Sequence, residues 1–230
     1  MPGHPHLGYS DLIPLMSVMT GDEKHAITAS STLDVIWTLY DRVLSVDPDD
    51  PTNRDRDRFL LSKGHGPMAF YAVLAAKGFL DPGELDGFGD FDSRLGHHPD
   101  RTLIPGVEIS SGSLGHGLPI AVGMALGVRL ADAGGRVFCL IGDGELGEGS
   151  NHEAIAVAAR FGLDRLTVVV IDNASPYLGW PGGIGSRFEV EGWESRQVDG
   201  RDLDAIEEAL AAPHPGRPMA VVADSGANHD

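Results

Sequence analysis

Val137-Phe138-Cys139-Leu140-Ile141-Gly142-Asp143-Gly144-Glu145-Leu146-Gly147-Glu148-Gly149 is the stretch on which the fold turns. Five apolar residues run into a turn with four glycines, and a helical pattern follows over 151–161. A continuous apolar run is a strand buried on both faces, which occurs in parallel sheets covered by helices. The same alternation continues outward. Strands are predicted over 59–61, 136–141, 166–171, near 195–198 and over 219–223. Helices are predicted over 31–44, capped by Ser30 or Ser31, and over 67–77, 118–130, 151–161 and 203–211. Residues 89–111 lack a period and read as a long loop, and 175–185 as an irregular Gly/Pro loop. The expectation is one α/β domain over 1–230, a doubly wound, mostly parallel sheet with helices on both faces. Residues 1–19 read as an N-terminal extension and 224–230 as a truncated tail.

Composition narrows the function. The chain of 230 residues has 34 Asp and Glu against 17 Lys and Arg, a formal charge of −17. Nucleic acid and anionic membrane surfaces need clustered cations, so neither is an expected partner. A single cysteine, Cys139, excludes an internal disulfide and a Cys-rich metal site, and its apolar setting reads as an inert thiol. With no signal peptide and no apolar run of membrane-spanning length, the expected location is cytoplasmic.

The glycine turn formally fits a dinucleotide loop, with Asp172 as the acid on the ribose. It also fits a turn that merely lets a helix pack closely on a strand. Charge favours a third reading. Asp143, Glu145 and Glu148 place three carboxylates where a pyrophosphate would sit. Like charges about 4 Å apart cost about 4 kcal/mol at the effective dielectric of a protein surface. A divalent cation between carboxylate and diphosphate removes the conflict, and Mg²⁺ accepts carboxylate, amide and phosphate oxygens. Parallel strands deliver their carboxyl ends to one crevice, so Asp143 and Asn173, at the ends of successive strands, fall together there. With a backbone carbonyl just beyond, that of Ser175, they can form the protein side of one Mg²⁺ site.

Gly142-Asp143-Gly144 with Asn173 resembles the thiamine diphosphate/Mg²⁺ motif. Other stretches resemble the N-terminal half of transketolase in consistent order. They are Asp55-Arg56-Asp57-Arg58-Phe59-Leu60-Leu61-Ser62-Lys63-Gly64-His65-Gly66, His98-Pro99-Asp100, Pro105-Gly106-Val107-Glu108, Gly112-Ser113-Leu114-Gly115-His116-Gly117, Gly192-Trp193 and Val198-Asp199-Gly200-Arg201-Asp202. The resemblance implies the thiamine diphosphate-binding fold and transfer of a two-carbon ketol unit from a ketose to an aldehyde. It implies Mg²⁺ on Asp143, Asn173 and Ser175. Cofactor contacts fall on His65, Gly142, Gly144 and Glu145, and on Gly112, Ser113 and Leu114 beside the aminopyrimidine. His25, His65 and His98 would face substrate, while Glu148 and Glu153 would line or couple active sites across an interface.

A full transketolase carries the glutamate that activates the aminopyrimidine in a second domain. Resemblance to the split form therefore implies a partner subunit like the transketolase C-terminal part, two copies of each chain, and no activity alone. The Lys24-His25-Ala26-Ile27-Thr28 segment, the short loop over 175–192 and the tail all depart from the family pattern near the substrate channel. They imply an altered donor or acceptor, as in specialised metabolism. The alternatives are a related thiamine enzyme with a non-sugar donor and a non-catalytic scaffold subunit.

Overall fold

The computed structural model describes residues 7–20, 26–174 and 180–226. Five parallel strands, β1 (Arg58–Leu61), β2 (Val137–Gly142), β3 (Leu166–Asp172), β4 (Glu194–Asp199) and β5 (Met219–Asp224), form one sheet in the order β1-β2-β3-β5-β4. All of β2 is buried, as its apolar run requires, and β5 is buried up to its last residue. At the edge, β4 is only partly buried and carries Glu194, Arg196 and Gln197, polar groups suited to a strand with one neighbour.

Right-handed crossovers dictate where the helices lie. The steps β1 to β2, β2 to β3 and β3 to β4 run one way across the sheet. Their helices α4 (Gly117–Leu130), α5 (Gly149–Arg160) and α6 (Ile184–Glu189) share one core with Cys139, Ile141, Val168, Val170 and Val222. The step β4 to β5 runs back, so α7 (Leu203–Ala211) lies on the other face. There Ile206 and Leu210 join α2 (Ala26–Thr38), α3 (Met68–Ala76), Phe138, Leu140 and Val221. Strand residues alternate between the two cores, which is the doubly wound sheet expected.

Three details differ from the sequence reading. Helix α2 starts before Ser30 and Ser31, so these lie inside it and cap nothing; after Thr38 the chain widens to a π turn over Leu39–Val43, closed by Leu44 N–H on the Leu39 carbonyl at 2.8 Å. Helix α6 lies at the end of the stretch read as irregular; at six residues it is too short to show a period, although Ile184 and Phe188 are both buried on one face. Residues 9–17, within the stretch read as an extension, form a 3-10 turn and α1 (Leu12–Ser17), which buries Leu12 completely. The Tyr9 hydroxyl donates to Asp34 of α2. Residues 89–111 carry no helix or strand, yet Leu95, Ile104, Val107 and Ile109 are buried, so the loop is packed.

Candidate active site

Strand register decides which loop residues meet. Gly142 pairs with Ile171, so Asp143 lies level with Asp172, which pairs with Asp224. Asp143 is 1% exposed, and its Oδ1 accepts from Gly144 N at 2.7 Å. Burial pushes the Asp172 carboxyl up, and the nearby Asp143 and Asp224 charges push it further. Lys63, at the end of β1, is buried on the other side of Asp143 and lies along Gly142. Burial pulls its ammonium down to about 8, against the attraction of Asp143 and Glu145. Carboxylates and one ammonium thus crowd this edge, with Asp143 and Lys63 buried and Asp172 partly so.

Glu145 has a different place from the one read in the sequence. It is 2% exposed, and its carboxylate accepts from the Ser62 hydroxyl, from Gly115 N at 2.9 Å and from Gly142 N at 3.4 Å. Ser62 Oγ in turn accepts from Gly117 N at 3.0 Å. The acid is turned inward because the turn over Asp143–Glu145 points it at amides that no strand satisfies. It fastens together the loops after β1, after β2 and before α4, where the sequence reading gave it a cofactor contact. Glu148 is exposed at the N-cap of α5, and Glu153 is exposed one turn later.

Two of the three singled-out histidines converge. His98 Nδ1 lies 2.9 Å from the Gly64 carbonyl, which only accepts, so Nδ1 carries the proton and Nε2 is left as a base. The His65 and His98 rings are 6.1 Å apart, both exposed at the carboxyl edge. Glycine makes this approach possible: a Cβ on Gly64 would come within 2.9 Å of Gly112, and Gly112 has φ +120° with the His98 ring against it. Beyond it, Leu114 is 46% exposed, and the Ser113 hydroxyl meets His116 Nδ1 at 2.9 Å, so His116 locks this turn. Asn173 is half-buried where the chain leaves β3, just before Ala174 at φ +56°. His25 and Ser175 lie outside the described residues. Lys63 received no role from the sequence; its signal was a lysine set between a buried strand and a glycine.

The donor set fits a magnesium-bridged diphosphate. Asp143 and Asn173 offer hard oxygen atoms, the crowded carboxylates favour a cation, and Lys63 adds positive charge beside them. Gly144 is exposed, and a Cβ on Gly147 or Gly149 would meet nothing within 4 Å, so the backbone rim is open to phosphate. Among the described residues, no group of three or more His, Cys, Asp or Glu side chains could hold a metal ion alone. A site of this kind draws its remaining ligands from an amide, a carbonyl and the phosphates. No helix among the described residues is long and apolar enough to cross a membrane.

Comparison with known proteins matches residues 9–222 to the family described as transketolase, thiamine diphosphate binding domain. The chain is 37% identical over 202 residues to a protein of Actinobacillus succinogenes named as one of the subunits of apulose-4-phosphate transketolase, covering 85% of this chain and 73% of that one. It is 57% identical over 216 residues to a Rhodococcoides fascians protein named Ferredoxin fas2, covering 94% and 71%. Among solved structures, the transketolase from Leishmania mexicana superposes with a TM-score of 0.79 at 26% identity over 95% of this chain and 36% of that one. The transketolase from Campylobacter jejuni gives 0.78 at 26% identity, covering 95% and 38%. The chain therefore spans a little over a third of the solved transketolases it matches.

Proposed function

The chain belongs to the transketolase thiamine diphosphate-binding family, and on that premise we propose that it is the cofactor-binding subunit of a split transketolase-type enzyme. The observation that carries this reading is the meeting of Asp143, Lys63, His65, His98 and Gly112 at one carboxyl edge of the sheet. When bound, thiamine diphosphate supplies an electron sink for the carbon that leaves a ketose. Asp143, Asn173 and Ser175 would hold Mg²⁺, with Lys63 and the Gly144 backbone toward the diphosphate. Gly112, Ser113 and Leu114 would lie against the aminopyrimidine. His98 Nε2, with its tautomer fixed by Gly64, is suited to take a proton from a substrate hydroxyl and return it, and His65 and His25 would share that task.

The naming of the Actinobacillus relative as one subunit among others supports a separate partner bearing the rest of the site. The assembly would be a heterotetramer with two copies of each chain. Glu148 and Glu153, exposed on α5, would face that interface. The donor class is a ketose phosphate, of the kind in the name of the Actinobacillus relative. A ferredoxin role does not transfer: an iron–sulfur cluster needs four ligands, typically cysteines, and Cys139 is the chain's one cysteine, buried in β2. The test is turnover. Mixed with a transketolase C-terminal-like partner, Mg²⁺ and thiamine diphosphate, the chain is expected to transfer a two-carbon unit from a ketose phosphate to an aldehyde. A mixture that binds no cofactor and turns nothing over would leave the scaffold reading in its place, and cofactor binding without turnover of any ketose phosphate would favour a non-sugar donor.

A further inference from the structure

Three consecutive residues at the start of α5 each tie down a different loop. The Ser150 hydroxyl donates to the Gly115 carbonyl at 2.7 Å, in the loop that carries Gly112, Ser113 and Leu114. The Asn151 amide donates to the Glu145 carbonyl at 2.8 Å, in the turn that carries Asp143 and Gly144. His152 Nδ1 receives Arg187 of α6, from Nη2 at 2.9 Å and Nε at 3.2 Å. A guanidinium only donates, so His152 Nδ1 is an unprotonated acceptor. Trp180 completes this arm: its ring lies 5.3 Å from the His152 ring, and the Arg187 guanidinium lies 5.5 Å from its centre. Trp180 and α6 end the connection that leaves β3 at Asn173, and the turn is closed by Gly183 N on the Trp180 carbonyl at 2.9 Å.

Geometry explains why one helical turn can serve three loops. Successive helix residues point about 100° apart, so Ser150, Asn151 and His152 reach in three directions. The contacts are specific in kind: a Cβ on Gly115 would strike Ser150 Oγ at 2.6 Å, Asn151 is fully buried, and the Arg187 side chain is only 10% exposed. None of the three residues is among those read as touching the cofactor.

We propose that the first turn of α5 is a three-way junction that sets the spacing of the loops around the cofactor. In it the His152–Arg187–Trp180 contact is the arm that anchors Trp180 and α6, the far end of the connection that begins at Asn173. This rests on the reading of the site as a magnesium–thiamine diphosphate pocket. Ser150, Asn151, His152 and Arg187 are positioning residues, acting through the groups they hold.

The test compares Arg187→Gln, His152→Leu and His152→Gln in the full chain by two readouts. The first is acrylamide quenching of tryptophan fluorescence, with Trp180→Phe as the baseline. Trp37 and Trp193 are buried, so half-buried Trp180 dominates the quenching. The second is the affinity for thiamine diphosphate with Mg²⁺. Arg187→Gln and His152→Leu are expected to make Trp180 more quenchable and to weaken the cofactor by about 10–100-fold, the usual effect of removing an outer-shell partner. His152→Gln keeps an acceptor for Arg187 and is expected to restore both. Unchanged quenching in His152→Leu would overturn the junction, as would equal loss of affinity in His152→Leu and His152→Gln, which would make the imidazole itself the contact. If the wild-type chain binds no cofactor, the pocket reading fails, while the quenching arm still decides whether the junction exists.

Discussion

Lys63 shows how one residue can link stability to binding. Its ammonium is buried between Asp143 and Glu145, and its value falls from 10.5 to about 8 because desolvation outweighs both attractions. Between those two values the unfolded chain holds more protons than the folded one, so stability rises as pH climbs through the window; below about 8 the cost of the buried charge is fully present. The difference in unfolding free energy between wild type and Lys63→Met, measured by denaturant titration, is therefore expected to shift in favour of wild type from pH 8 toward 10.5. A flat difference would mean that the ammonium is not desolvated. Such a basic group set beside two acids makes sense where an anion arrives with its own metal. The placement of Asp143 and Asn173 at the ends of neighbouring strands was legible, since motif spacing reaches across a βα unit. Lys63 was left unread, because the partners that define its environment come from another loop.

At the scale of elements, Glu145 is the joint. Its carboxylate serves the Ser62 hydroxyl and the amides of Gly115 and Gly142, so three loops share one buried acceptor group. Replacing it with Ala orphans three donors, each worth about 1–3 kcal/mol when left unsatisfied in the interior. Glu145→Ala is expected to lower the melting temperature by several degrees or more. Glu145→Gln, which keeps an acceptor oxygen, is expected to lose clearly less in the same thermal scan. Equal losses would point to packing and not to hydrogen bonding. This joint does not follow from sequence alone: an acid in a glycine turn looks solvent-facing until the strands that flank it are assembled. The elements themselves were far more legible. Continuous apolar runs marked β2, β3 and β5 because burial on both faces removes alternation. The six-residue α6 and the π turn after α2 were not, since each is set by a few packing contacts and not by a period.

For the molecule as a whole, the formal charge of −17 and the span of a little over a third of a solved transketolase belong to one argument. An acidic chain holds a diphosphate through a metal, and positive groups supplied from elsewhere strengthen that hold. If a partner supplies them, association carries an electrostatic component and is expected to weaken as salt is raised, because mobile ions screen exposed charges. Sedimentation of the mixed chains at rising ionic strength checks this, and salt-independent assembly would locate the contact in apolar surface instead. Doubly wound topology was readable from the alternation of elements, and right-handed crossovers then fixed which helices share a face.

On the proposed reading, a metal ion bridges the cofactor to this chain through Asp143. Calorimetric titration of thiamine diphosphate into the full chain, with and without Mg²⁺ and in wild type and Asp143→Asn, tests it most directly. Binding is expected only with Mg²⁺, and it is expected to vanish in Asp143→Asn while the unliganded variant melts no lower than wild type, because removing one buried carboxylate relieves its crowding with Asp172. Binding of equal strength without metal, or undiminished in Asp143→Asn, would contradict the account.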